Sequence, residues 1–118
     1  MLPKGKAVKV SIYLTDGATH NGEPAHTAIL DFLFKRSVDG ATALKGFAGF
    51  GHDHHLHTAS SIFLADSLPL KIEFIETPEK AEELMPTLIE MAGTGMIEMQ
   101  ETTVVKPCGA PQQDPKPR

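Results

Sequence analysis

Four of the chain's six histidines fall within six residues, in the run His52-Asp53-His54-His55-Leu56-His57. Neutral imidazoles beside a carboxylate are good ligands for zinc, copper or nickel. Side chains alternate in an extended segment, so His55 and His57 point to one side and His52 and His54 to the other. One loop thus offers two ligand pairs. The competing reading is a solvated loop that its imidazoles merely keep polar. The zincin helix pattern H-E-x-x-H is absent. His20 and His26 read as loop and helix-surface residues rather than ligands. Asp16 and His20 have the makings of an acid–base pair, but an Asp in a stretch rich in Gly and Asn caps a turn. An enzyme, such as a hydrolase using the His/Asp run, is the weakest reading, since no nucleophile, base and supporting third group stand in pattern. Cys108 is the single cysteine. Met85, Met91, Met96 and Met99 read as gap-fillers at core-like or edge positions.

The elements that must position these residues are marked by periodicity. From Lys6 to Thr15, Val8, Val10, Ile12 and Leu14 alternate with Lys9, Ser11 and Tyr13, which predicts a half-buried strand. Residues 16–22 form a turn-rich loop, with glycine and asparagine available for positive φ. Pro24 suits the first position of a helix, and Ala25, Ala28, Ile29, Phe32 and Leu33 make one apolar face, with Gly40 as the stop. Thr42 to Phe50 predicts a strand that bends around Gly46 and Gly49. The polar segment 51–61 follows, and residues 62–65 fit either a hairpin extension or a short helix. Leu68 to Ile75 alternates again. Thr77 is an N-cap before Pro78, and Ala81, Leu84, Met85, Leu88, Ile89 and Ala92 share a helical face that Pro86 should bend. Gly93 ends that helix, and Gly95 to Lys106 is the last strand. Residues 107–118 hold four of the nine prolines and read as a flexible tail.

The order β-α-β-β-α-β predicts a ferredoxin-like α+β domain over residues 1–106, a four-stranded antiparallel sheet with two helices on one face. Tyr13, Lys71 and Glu73, on the other face, must meet solvent or another subunit. The 118-residue length suits one core. A net charge of −4, no basic cluster and no Trp argue against nucleic acid as a partner. The sequence has no apolar run of about 20 residues and no signal peptide, and one cysteine suits a reducing compartment, so the expected location is the cytoplasm.

Three runs carry a family resemblance: Gly40-Ala41-Thr42 through Gly49-Phe50-Gly51, then Leu68-Pro69-Leu70-Lys71-Ile72-Glu73, then Gly93-Thr94-Gly95-Met96-Ile97. Together they resemble the PII signalling superfamily, nearest its uncharacterised PII-like branch, in which Gly-Ala-Thr, Gly-Phe-Gly and His-Thr-Ala (here 40–42, 49–51 and 57–59) follow one another. The resemblance implies a homotrimer with nucleotide clefts between subunits and a long loop, here 51–67, presented to a membrane transporter or enzyme. Carried over residue by residue, it implies a small-molecule effector at Thr42, Gly49, Phe50, Gly51, Glu73, Ile75, Gly93, Thr94 and Gly95. The PII pattern continues with a lysine after the last of these glycines and then a Gly-Asp-Gly-Lys stretch. Here the chain reads Met96-Ile97-Glu98-Met99-Gln100. Such a cleft should take AMP or ADP at least as well as ATP. The leading expectation is therefore a PII-like sensor. The alternative is a divalent-metal-binding trimer of the CutA type, holding zinc, copper or nickel on His52, His54, His55 and His57.

Overall fold

The computed structural model describes residues 1–52, 54, 56–58 and 68–109, with the backbone alone at 57 and 58. Strand β1 (Gly5–Thr15) carries the expected alternation, and Val8, Val10, Ile12 and Leu14 are buried on its inner side. A two-strand ribbon, β2 (Thr19–His20) with β3 (Glu23–Pro24), turns at Asn21 and Gly22. Both turn residues have positive φ, as an Asn-Gly hairpin turn requires. Helix α1 (Ala25–Lys35) begins one residue later than expected: Pro24 is its N-cap, extended at ψ 129° and still paired with Thr19 in the ribbon.

Helix α1 stops at Lys35, not at Gly40. Ser37 takes the left-handed conformation, its N–H reaches the Phe34 carbonyl, and the Val38 N–H reaches the Leu33 carbonyl at 3.2 Å. This is a Schellman termination with serine where glycine is usual. Strand β4 (Ala41–Lys45) follows, then the short β5 (Ala48–Gly49) paired with β6 (His57–Thr58). The bend expected at the glycines is real, and its cause is Pro69. The Gly46 N–H donates to the Pro69 carbonyl at 2.7 Å, and a Cβ at Gly46 or Gly49 would lie 3.1 Å from the Pro69 ring.

Strand β7 (Pro69–Glu76) buries Leu70, Ile72 and Phe74. The Thr77 hydroxyl accepts from the Lys80 N–H at 3.2 Å and Pro78 opens helix α2 (Pro78–Ala92), which continues past Pro86 to Gly93 at φ 59°. Ala81, Leu84, Leu88 and Ala92 face the core, whereas Ile89 is 60% exposed. The buried stripe of α2 is narrower than its apolar sequence, because one sheet face offers it only one line of contact. Strand β8 (Met96–Val104) closes the sheet in the order β4-β7-β1-β8, antiparallel throughout. This is the ferredoxin-like arrangement. The main core lies between the sheet and the two helices.

Among the described residues the outer face of the sheet is open, except where Leu2 lies on Ala7, Ile75 and Val104. The Leu2 N–H donates to the Asp39 carboxylate at 2.8 Å, which fixes this strap. Ser11, read as an outward polar residue, is on that face yet only 4% exposed, flanked by Glu73 on one side and Glu98 on the other. The choice between hairpin and helix at 62–65 falls outside the described residues, as do residues 110–118 of the tail. No helix among the described residues is long and apolar enough to cross a membrane.

Candidate functional site

Register decides which of the singled-out residues meet. Thr42 is the cross-strand partner of Glu73, so these two stand side by side on the open face at the β4 edge. The Lys71 ammonium bridges Glu73 at 2.9 Å. That hydrogen bond holds the Glu73 carboxyl below the usual carboxylate range and raises the Lys71 ammonium. Lys71 also lies 5.6 Å from the centre of the Tyr13 ring, and the Tyr13 hydroxyl donates to Glu98 at 2.5 Å. The bond to Glu98 pushes the Tyr13 phenol above its ordinary value of 10.0. The open face therefore carries a connected row of polar groups, Glu73, Lys71, Tyr13 and Glu98, each paired with the next.

Gly49 continues the same edge, seated on Pro69 and paired with His57. Phe50 beyond it is 63% exposed, and nothing crowds the position of a Gly51 side chain. Gly93, Thr94 and Gly95 are elsewhere. They form the turn from α2 into β8, at the opposite edge of the sheet. Gly95 is fixed by packing: a Cβ there would run into the Tyr13 carbonyl oxygen, with Leu14 at 3.0 Å and the Ala92 carbonyl at 3.1 Å. Ile75 belongs to neither edge group, being packed beneath Leu2 at the far end of β7. Three strand spacings of about 4.8 Å, roughly 14 Å, separate the β4 edge from the β8 edge. One chain thus holds these residues in two separate groups and brings neither to the other.

The histidine run is only partly described. His52 and His54 are exposed, and His54 has a φ of 58° and its ring centre 6.0 Å from that of Phe50. Asp53 and His55, and the side chain of His57, lie outside the described residues. No group of three His, Cys, Asp or Glu side chains suited to a metal comes together among the described residues. His26 is not a plain surface residue: its Nδ1 is buried and has no hydrogen-bond partner among the described residues.

Three further polar contacts tie the domain together. Lys45, the last residue of β4, bridges Asp16 at 2.8 Å. Glu76 is 3% exposed, accepts from the Thr77 N–H at 2.9 Å and meets Lys80 at 3.5 Å. The Lys80 ammonium also donates to the Ser37 carbonyl at 2.9 Å, tying the end of α1 to the start of α2. Two open clefts of about 370 and 380 Å³ lie on the helix side, one between the β2–β3 ribbon and the helices, the other between α2 and β8. Neither is lined by Thr42, Glu73 or any of the singled-out glycines.

Comparison with known proteins agrees with this architecture. Residues 7–104 match the family DUF190, described as uncharacterized ACR. A UPF0166 protein of Methanocaldococcus jannaschii is 29% identical over 102 residues, 86% of this chain and 94% of the relative. A UPF0166 protein of Aquifex aeolicus is 24% identical over 94 residues, 80% of this chain and 89% of the relative. Among solved structures, CPII, a nitrogen regulatory PII-like protein from Thiomonas intermedia K12 bound to ADP, AMP and bicarbonate, superposes with a TM-score of 0.53 at 22% identity, covering 87% of this chain and 97% of that one. CPII bound to ADP and bicarbonate gives 0.56 at 19% identity, covering 90% and 95%. With the β-α-β-β-α-β sheet and its glycine turns in place, the chain belongs to the DUF190 family and carries the PII-like fold.

Proposed function

We propose that this protein is a PII-like regulator: three copies close into a ring, bind an adenine nucleotide in the clefts between them, and signal to a transporter or enzyme through residues 51–67. The observation that carries this reading is the division of the site. Thr42, Glu73 and Gly49 stand on the β4 edge, and Gly93, Thr94 and Gly95 on the β8 edge. A head-to-tail contact that sets the β4 edge of one copy beside the β8 edge of the next completes one site per contact, and rotation closes such contacts into a ring. The ADP and AMP held by CPII, which shares the fold, support an adenine nucleotide as the effector.

Charge narrows the ligand. Where the PII pattern has a lysine this chain has Met96, which is 59% exposed, and both lysines near the β4 edge, Lys45 and Lys71, are already bridged to carboxylates. A triphosphate brings more negative charge than this cleft balances, so AMP and ADP should bind at least as tightly as ATP. Light scattering should give roughly three times the 12.7 kDa chain mass, and calorimetry should rank AMP or ADP no weaker than ATP. A stable monomer at micromolar concentration, or a clear preference for ATP, would overturn the reading.

A further inference from the structure

We infer that Lys45 is the phosphate-binding residue of this site and that Asp16 is its resting counter-ion, so that a nucleotide binds by displacing a carboxylate from an ammonium. The inference rests on the nucleotide reading above and identifies the cation which that reading lacks. Lys45 is the only charged residue between Gly40 and Gly51, the stretch whose glycines leave the backbone open to an anion. It ends β4, the edge strand, and its half-exposed side chain runs past the end of β7 to Asp16, along the rim of the sheet rather than into the core, so release from Asp16 frees it to turn to the edge. Register places it well. Lys45 pairs with Leu70, Leu70 with Leu14, and the neighbouring Tyr13 with Met96, so Lys45 lies level with Gly95 across the sheet. Rotation about an axis along the strands keeps these ends level. It brings Lys45 of one copy beside the Gly93–Gly95 turn of the next, where the PII pattern places its own lysine.

Lys71, the other cation near this edge, is less free to move. It is held by Glu73 at 2.9 Å and lies over the Tyr13 ring, on the face where Thr42 and Glu73 would meet a base or ribose. Lys45 has one partner only among the described residues, Asp16, whose carboxylate is itself 20% exposed and reaches Lys45 at 2.8 Å. The Asp16 N–H is bound to the Leu68 carbonyl at 2.8 Å, so its backbone stays in place when the lysine leaves the carboxylate.

The test is calorimetry of AMP and ADP on the full chain and on the variants Lys45→Met, Lys45→Arg, Asp16→Asn and Lys71→Met, with melting curves to confirm folding. Lys45→Met should weaken ADP by about tenfold, the worth of a hydrogen bond to a charged group, and AMP by less. Lys45→Arg should restore most of that loss. Asp16→Asn should tighten ADP roughly two- to fivefold, by removing competition from a half-exposed ion pair. That gain should vanish in the Lys45→Met background. A merely structural bridge would change stability and leave the ADP-to-AMP ratio untouched. If wild type binds ADP and Lys45→Met binds it equally well, or if Lys71→Met alone takes the loss, Lys45 is not the phosphate residue and the nucleotide reading stands. If wild type binds no adenine nucleotide, both fall.

Discussion

Gly95→Ala isolates what the turn before β8 does for the fold, apart from any ligand. The alanine Cβ would run into the carbonyl oxygen of Tyr13 and stand 3.0 Å from Leu14 and 3.1 Å from the Ala92 carbonyl. Two of those three atoms are backbone. The Tyr13 oxygen belongs to β1, the strand between β7 and β8, and shifting it disturbs both ladders. The Gly95 N–H bond to Ala92, 2.8 Å, is strained by the same shift. Overpacking of this kind costs about 1–3 kcal/mol, and with backbone opposing it the upper half of that range is expected. At about 2.1 cal/mol/K per residue, about 2 kcal/mol lowers the melting temperature by roughly 8 °C. Thermal unfolding followed by circular dichroism, without nucleotide, reads this directly. Gly93→Ala is the useful companion: its Cβ meets nothing within 4 Å, but its φ is 59°. It should cost about 1–3 kcal/mol through backbone strain alone, because φ 59° with ψ −117° lies outside the regions an L side chain ordinarily takes. An unchanged melting curve for Gly95→Ala would refute the packing argument and return Gly95 to ligand binding alone.

Ser37→Gly should raise stability by about 0.5–1 kcal/mol in urea unfolding, because glycine takes the left-handed position that ends α1 without strain. Tyr13 is the chain's only tyrosine, so tyrosinate absorbance reports one phenol. Its midpoint should lie above 10 and fall when Glu98→Gln removes the carboxylate that accepts its proton bond. Glu73 has its folded pKa depressed by Lys71, so its contribution is present above its ordinary value of 4.5 and is lost as pH falls through the lower folded value. Lys71→Met should flatten the acid side of the stability profile in that window, and an unaltered slope would show that the bridge is not felt in the folding equilibrium.

The strands were legible because burial repeats every second residue. Val8 to Leu14 and Leu70 to Phe74 write the sheet's inner face into the sequence, and the Asn21-Gly22 turn is equally local. The end of α1 was not legible, since a serine in a glycine's conformation leaves no compositional mark and Gly40 offered a false stop. Ile89 misled for a related reason, as an apolar side chain at helical spacing can still face water. At the site, the glycines and Thr42 stood out as types, but their division between two edges follows from strand order, which no local pattern encodes. The pairs Lys45–Asp16 and Glu76–Lys80 differ in the same way. The second spans one helical turn, whereas the first joins residues 29 positions apart (45 − 16) that meet only once β1 and β4 flank β7.

The placing of half the motif on each outer strand has a thermodynamic corollary. A ligand gripped by a single chain binds equally well at any protein concentration. A ligand that needs Thr42 from one copy and Gly95 from another binds only to chains in contact, and by mass action it must also hold them in contact. Effector concentration and protein concentration then become interchangeable variables. Dilution weakens the apparent affinity, and the effector protects the assembly against dilution. In the proposed ring the same contact would cover the N–H and carbonyl groups along the rims of β4 and β8 that have no strand partner among the described residues and are otherwise open to pairing with a stray strand. In such a protein, how much effector is present and how much sticky edge is exposed to the surroundings are one measurement.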